Sequence, residues 1–97
     1  MTRDEAIRLL GERRLELADH FGVRSLALFG SVARDEAGPE SDVDILVDFR
    51  ETPGLSEYMR LKLWLEERLG SQVDLVMKGA LKPWARPGVE AEAIRVA

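Results

Sequence analysis

Apolar residues recur at helical spacing from the start of the chain. Ile7, Leu10, Ala18 and Phe21, joined by Leu9, Leu15 and Leu17, make a broad apolar face that stops before Gly22. Thr2 and Glu5 stand at capping-box spacing ahead of it, so the pattern predicts one helix over about residues 3–20.

Val23–Phe29 is apolar, bounded by Gly22 and Gly30 and too short for a helix, which predicts a buried strand. Gly30-Ser31 then opens a short helical turn reaching about Glu36, and residues 37–41 are turn formers. Across Val43–Phe49, Ile45, Val47 and Phe49 alternate with Asp44, Leu46 and Asp48, so a second strand with two chemically different faces is predicted. Residues 51–54 break the chain. Ser56 is the expected N-cap of a helix carrying Tyr58, Met59, Leu61, Leu63, Leu65 and Leu69, with Gly70 as its C-cap. Val73–Met77 predicts a third strand, and Pro83, Pro87 and Gly88 are expected to delay a last helix until about Val89–Val96.

This order predicts an α/β fold: a small mixed sheet covered on one face by helices, in one domain spanning residues 1–97. The first two strands are joined too closely for a crossover helix, which makes them antiparallel. The third follows a helix of crossover length, which makes it parallel to the second.

Composition narrows the chemistry. A chain of 97 residues buries only roughly 60–68% of its unfolded surface, leaving room for one core layer and a shallow site. No apolar run approaches a membrane span, and Met1-Thr2-Arg3-Asp4-Glu5 leads into a helix without a signal core, so a cytoplasmic location is expected. Without cysteine, any metal must sit on carboxylates or on His20, and oxygen ligands favour magnesium or manganese over zinc. A net charge of -4 argues against direct nucleic-acid binding through a broad basic face. Arg outnumbers Lys, Asn is absent and Gln72 is the only Gln, a bias that thermophile proteins and base composition both produce.

With antiparallel first and second strands, Gly30-Ser31 comes to lie next to Asp42 and Asp44. Those two carboxylates project from one strand face at roughly 6–7 Å, a separation suited to one or two divalent ions. Asp74, at the start of the third strand, can complete the cluster. Three gathered carboxylates repel one another unless a cation neutralises them. Gly30 permits close backbone approach to a ligand, and Ser31 at a helix N-terminus offers a hydroxyl and amide donors for phosphate oxygens.

Phe29-Gly30-Ser31-Val32-Ala33-Arg34, Ser41-Asp42-Val43-Asp44-Ile45-Leu46-Val47 and Val73-Asp74-Leu75-Val76 together resemble the polymerase-beta-like nucleotidyltransferases, specifically their minimal (MNT) branch, over nearly the whole chain. The resemblance implies that Asp42, Asp44 and Asp74 are both catalytic and metal-binding, holding two Mg2+ ions, with Mn2+ as a substitute. It implies that Gly30 and Ser31 bind the nucleotide's phosphates. Arg34 and Ser41 also match, either at the nucleotide or bracing the turn. The implied reaction is transfer of a nucleoside monophosphate, AMP from ATP, to an acceptor hydroxyl, with Asp74 placed to take the hydroxyl proton. Proteins similar to this act as antitoxins that modify a Tyr of a HEPN-domain toxin partner; the resemblance leaves room for a homo-oligomer. Two other readings share the residues: a non-catalytic antitoxin that masks its partner, and a small-molecule nucleotidyltransferase. The match departs at Asp35, where relatives often have Gly, and at Pro87-Gly88, where their last helix begins earlier.

Other polar residues carry less. Asp48 lies roughly 13 Å along the strand from Asp44, too far for the same ions. His20 suits a helix C-terminus and has no second His. Lys82 reads equally as a phosphate contact or a surface lysine, and Trp64 and Trp84 as packing or interface residues. Arg13-Arg14 and Glu66-Glu67-Arg68 read as solvated faces.

Overall fold

The computed structural model describes residues 1–97. Its helices are α1 (Arg3–Gly11), α2 (Arg14–Phe21), α3 (Gly30–Ala33), α4 (Leu55–Leu69) and α5 (Arg86–Glu92), and its strands β1 (Val23–Phe29), β2 (Val43–Phe49), β3 (Val73–Met77) and β4 (Ile94–Arg95). The sheet order is β3-β2-β1-β4, with β1 antiparallel to β2 and β4 and with β2 parallel to β3. The three expected strands stand at their expected bounds and in their expected directions.

The strand faces divide as the alternation predicts. Val43, Ile45 and Val47 of β2 and Leu26 and Leu28 of β1 are fully buried, and Val73 and Leu75 of β3 are buried beside them. Ala6 and Leu10 of α1, Leu17 of α2 and Leu61, Leu65 and Leu69 of α4 cover that face. Truncating a buried leucine such as Leu61 to alanine costs about 2–5 kcal/mol, so this layer sets the stability of so small a domain. The opposite face carries Asp44, Leu46, Asp48 and Asp74.

Four local expectations change. The first helix is two, because the chain breaks at Glu12 and Arg13: Arg13 N–H turns back to the Leu10 carbonyl, and Arg13 leaves helical geometry. Gly11, a weak helix former, ends α1, and a β-carbon there would come into ordinary contact with the Val96 carbonyl, a tertiary neighbour that local pattern does not carry. Gly54, not Ser56, is the N-cap of α4. Pro87 sits in the first turn of α5 and starts that helix instead of delaying it. The residues after Glu92 form β4, not helix: Arg95 and Ile94 pair with Ala27 and Leu28 of β1.

Phe21 and Trp64 stack with centroids 5.2 Å apart and tie α2 to α4. The Arg60 and Arg68 guanidinium groups lie over these rings, each 5.3 Å from the centroid, so Trp64 serves packing. Trp84 is 84% exposed. No helix is long and apolar enough to cross a membrane.

Candidate active site

Asp44 is flanked in register by Phe29 of β1 and by Asp74 of β3. The two aspartates therefore stand side by side on the open face of the sheet, while Asp42, just before β2, is exposed. The Asp44 carboxyl is held above the ordinary carboxylate range, first by burial and then by the charges of Asp74 and Asp42, with Arg34 opposing. As the side chains stand, no three His, Cys, Asp or Glu residues form a ready metal cage. Asp44 and Asp74 are brought together, and Asp42 acts on Asp44 through its charge. An all-oxygen donor set in which one carboxylate resists ionisation fits a hard divalent cation, which would relieve that repulsion.

Gly30 supplies the floor of this arrangement. Its φ is +71°, and a β-carbon there would collide with Asp44 Oδ2. The Asp44 carboxylate thus rests against the Gly30 Cα, which only glycine permits. Ser31 follows, half-buried, in the single turn of α3, and its carbonyl accepts the Glu36 N–H at 2.8 Å. Just beyond the turn, Arg34 Nη1 donates to Glu92 Oε2 at 2.9 Å and Arg34 Nε to Glu36 Oε2 at 3.2 Å. These carboxylates, Glu92 foremost, raise the guanidinium's already high pKa. Ser41 Oγ accepts the Gly38 N–H at 3.0 Å, so in this state Arg34 and Ser41 both brace the loop between α3 and β2.

Three contributing residues escaped the sequence pattern. Glu92 Oε1 accepts the Gly30 N–H at 2.8 Å; that bond, and then Arg34, hold its carboxyl below the ordinary range. Glu66, read above as part of a solvated face, accepts the Val73 N–H at 3.0 Å and fixes the entry to β3. Tyr58 Oη donates to the Leu75 carbonyl at 2.5 Å. Their partners lie 62, 7 and 17 residues away, and only the Glu66 contact is near enough in sequence for a helix-end carboxylate beside Gly70 to have signalled it.

Asp48, expected as an exposed strand residue, is half-buried and faces Arg24, with Nη1 at 3.7 Å. Lys82 is exposed, and its carbonyl accepts the Ala85 and Arg86 N–H groups at the entry to α5. His20 is exposed at the end of α2. The surface around Asp42 is a shallow polar depression of about 330 Å³ between residues 39–42 and 70–72. A somewhat larger hollow of about 380 Å³ lies at the far end of β2, lined by Asp48, Glu51 and Lys78 as well as Phe49, Pro53 and Met77, and does not include Asp42, Asp44 or Asp74.

Comparison with known proteins bears on this geometry. The family model described as nucleotidyltransferase domain matches residues 10–96. Protein adenylyltransferase MntA of Thermococcus cleftensis is 45% identical over 96 residues, covering 99% of this chain and 97% of the relative. A solved structure bearing the name minimal nucleotidyltransferase superposes with a TM-score of 0.81 at 44% identity, covering 97% of this chain and 95% of the other. Two toxin-antitoxin crystal structures share the fold at 22% identity. One holds AMP-PNP, with a TM-score of 0.74 and coverage of 90% and 72%. The other is a tri-AMPylated Shewanella oneidensis HEPN toxin in complex with MNT antitoxin, with a TM-score of 0.67 and coverage of 94% and 71%.

Proposed function

This chain belongs to the nucleotidyltransferase domain family, in its minimal branch, and from that premise we propose that it is a cytoplasmic antitoxin transferring AMP from ATP to a tyrosine hydroxyl of a HEPN-domain toxin. The observation that carries the reading is the pairing of Asp44 with Asp74 in register, with Asp44 seated on Gly30. The name of the Thermococcus relative supports protein adenylyl transfer, and the two toxin-antitoxin structures support ATP and a HEPN partner. Residues 1–97 act as a single domain in this reading.

Asp42, Asp44 and Asp74 hold the divalent ions, magnesium by preference. Bound there, such ions neutralise phosphate charge and favour the ionised acceptor hydroxyl. Ser31, through its hydroxyl and amide at the start of α3, takes the nucleotide's phosphate oxygens, and Gly30 allows their close approach. Arg34 adds positive charge beside them, and Ser41 holds the loop leading to Asp42. Asp74, exposed at the rim, receives the proton as the acceptor oxygen bonds to the α-phosphorus and pyrophosphate departs. Catalysis rests on positioning and electrostatics more than on a covalent step by the protein.

The test is incubation with magnesium and α-labelled ATP, with and without a HEPN-domain protein of the same genome, against Asp42→Asn/Asp44→Asn. Label on a partner tyrosine with wild type alone supports the reading. Tight partner binding without label instead makes the chain a masking antitoxin. Label on a small molecule with none on protein makes it a small-molecule transferase.

A further inference from the structure

We propose that Glu92 is a positioning residue for nucleotide transfer, acting from the last helix on the turn that carries Ser31. The inference rests on the reading above and deepens it by adding the C-terminal segment to the site. A helix of one turn does not hold itself in water, because nucleation costs more than a single turn returns. Helix α3 is four residues long. The two oxygens of Glu92 grip both its ends: Oε1 accepts the N–H of Gly30, its first residue, at 2.8 Å, and Oε2 accepts Nη1 of Arg34, just past its last, at 2.9 Å. Both bonds are charge-assisted, the stronger kind.

The carboxylate is itself anchored. Directly after Glu92 the chain pairs with β1 through Ile94 and Arg95, and Val96 and Ala97 donate to the Leu26 carbonyl at 2.8 and 3.2 Å. Glu92 therefore reaches α3 from a segment fixed to the same strand from which α3 emerges. An ion pair this exposed, with the Arg34 side chain 46% and the Glu92 side chain 31% accessible, adds little to global stability. Its effect falls on placement. The groups it holds are the Gly30 backbone beneath Asp44 and the guanidinium assigned to the phosphates. Loss of the Glu92 charge leaves Arg34 with Glu36 alone, which makes no bond to Gly30.

Magnesium-ATP affinity, kcat/KM for AMP transfer, Tm and the Gly30 amide nitrogen resonance are to be compared in wild type, Glu92→Gln, Glu92→Asp, Arg34→Ala and Glu92→Gln/Arg34→Ala. Glutamine keeps one acceptor oxygen for Gly30 but not the charge facing Arg34. Glu92→Gln is expected to lower kcat/KM on the order of ten- to hundredfold, through KM for ATP more than kcat, with Tm close to wild type and the Gly30 resonance moved. In the Arg34→Ala background the same change adds little, and Glu92→Asp recovers part of the loss. Wild-type affinity and rate in Glu92→Gln, full additivity with Arg34→Ala, or losses that track Tm overturn the proposal. A wild type that takes up no magnesium-ATP fails at the earlier reading and brings this one down with it. A wild type that binds while Glu92→Gln binds equally well fails only here.

Discussion

A β-carbon on residue 30 would strike Asp44 Oδ2 and lie 2.9 Å from the Asp44 Cγ, so the Gly30 turn and the Asp44 carboxylate occupy one shared space. Gly30→Ala therefore faces two penalties, a left-handed backbone costing about 1–2 kcal/mol and a displaced carboxylate. A Tm lower by roughly 5–15 °C is expected, with AMP transfer reduced on the order of a hundredfold. Thermal melts and label transfer on the same preparations decide the matter. Full activity in the surviving folded protein would mean that the seat of Asp44 is irrelevant to the chemistry.

Asp44 pays for its position in stability, since burial and the Asp74 and Asp42 charges all oppose its ionisation. A carboxyl raised in this way favours the fold below its unfolded pKa and loses that advantage as pH rises through the folded value. Asp44→Asn without metal at neutral pH is accordingly expected to melt a few degrees above wild type, a gain obtained by giving up function. Added magnesium is expected to raise the wild-type Tm and leave the variant's nearly unchanged. Scanning calorimetry with magnesium and with a chelator checks both halves, and equal metal responses would remove Asp44 from the ligand set.

The legible parts of the fold were those decided by short-range pattern. Val23–Phe29 and Val73–Met77 are apolar runs whose ends are marked by glycines or by turns, and the strand directions follow from the lengths of the connections. The pairing of Asp44 with Asp74 is a consequence of those directions, which is why these two carboxylates could be expected to lie together. What stayed hidden depends on distant chain. Helix α1 ends at Gly11, near the Val96 carbonyl, and the two-residue β4 pairs with the edge that Ala27 and Leu28 offer it. Glu92 lies in an ordinary run of helix-forming residues, and its role appears only once α5 is packed on α3.

Asp35 has a φ of 58° and accepts the Arg3 N–H at 3.3 Å. The left-handed backbone is what glycine adopts freely, and aspartate tolerates it better than most residues. Asp35→Gly relieves the backbone but loosens the unfolded chain by about 0.4–1 kcal/mol, so a net change within about 0.5 kcal/mol is expected. Asp35→Val, branched and without a local acceptor, is expected to cost about 1–2 kcal/mol. Urea melts of the three proteins test the order. A valine variant as stable as wild type would show that the turn readily adopts another conformation.

Glu66 joins α4 to the start of β3, where Val73 is followed directly by Asp74. Its Oε2 accepts the Val73 N–H at 3.0 Å and Lys62 Nζ at 3.3 Å. The backbone bond first, and the lysine after it, hold this carboxyl below the ordinary glutamate range. A depressed acid contributes stability that is complete above its unfolded pKa and is lost as pH falls through the folded value. Glu66→Gln still accepts from Val73 but has no charge to lose. Wild type is therefore expected to be the more stable of the two at neutral pH, with the gap closing as pH falls below the ordinary glutamate range. Glu92, also depressed, adds an acid loss of the same sign to both proteins, and Asp44 adds one of opposite sign to both, so the difference between them isolates Glu66. Urea melts of the pair between pH 7 and pH 3 measure that difference. A gap that stays constant across the range would mean that the Val73 bond holds the entry to β3 equally well without the charge.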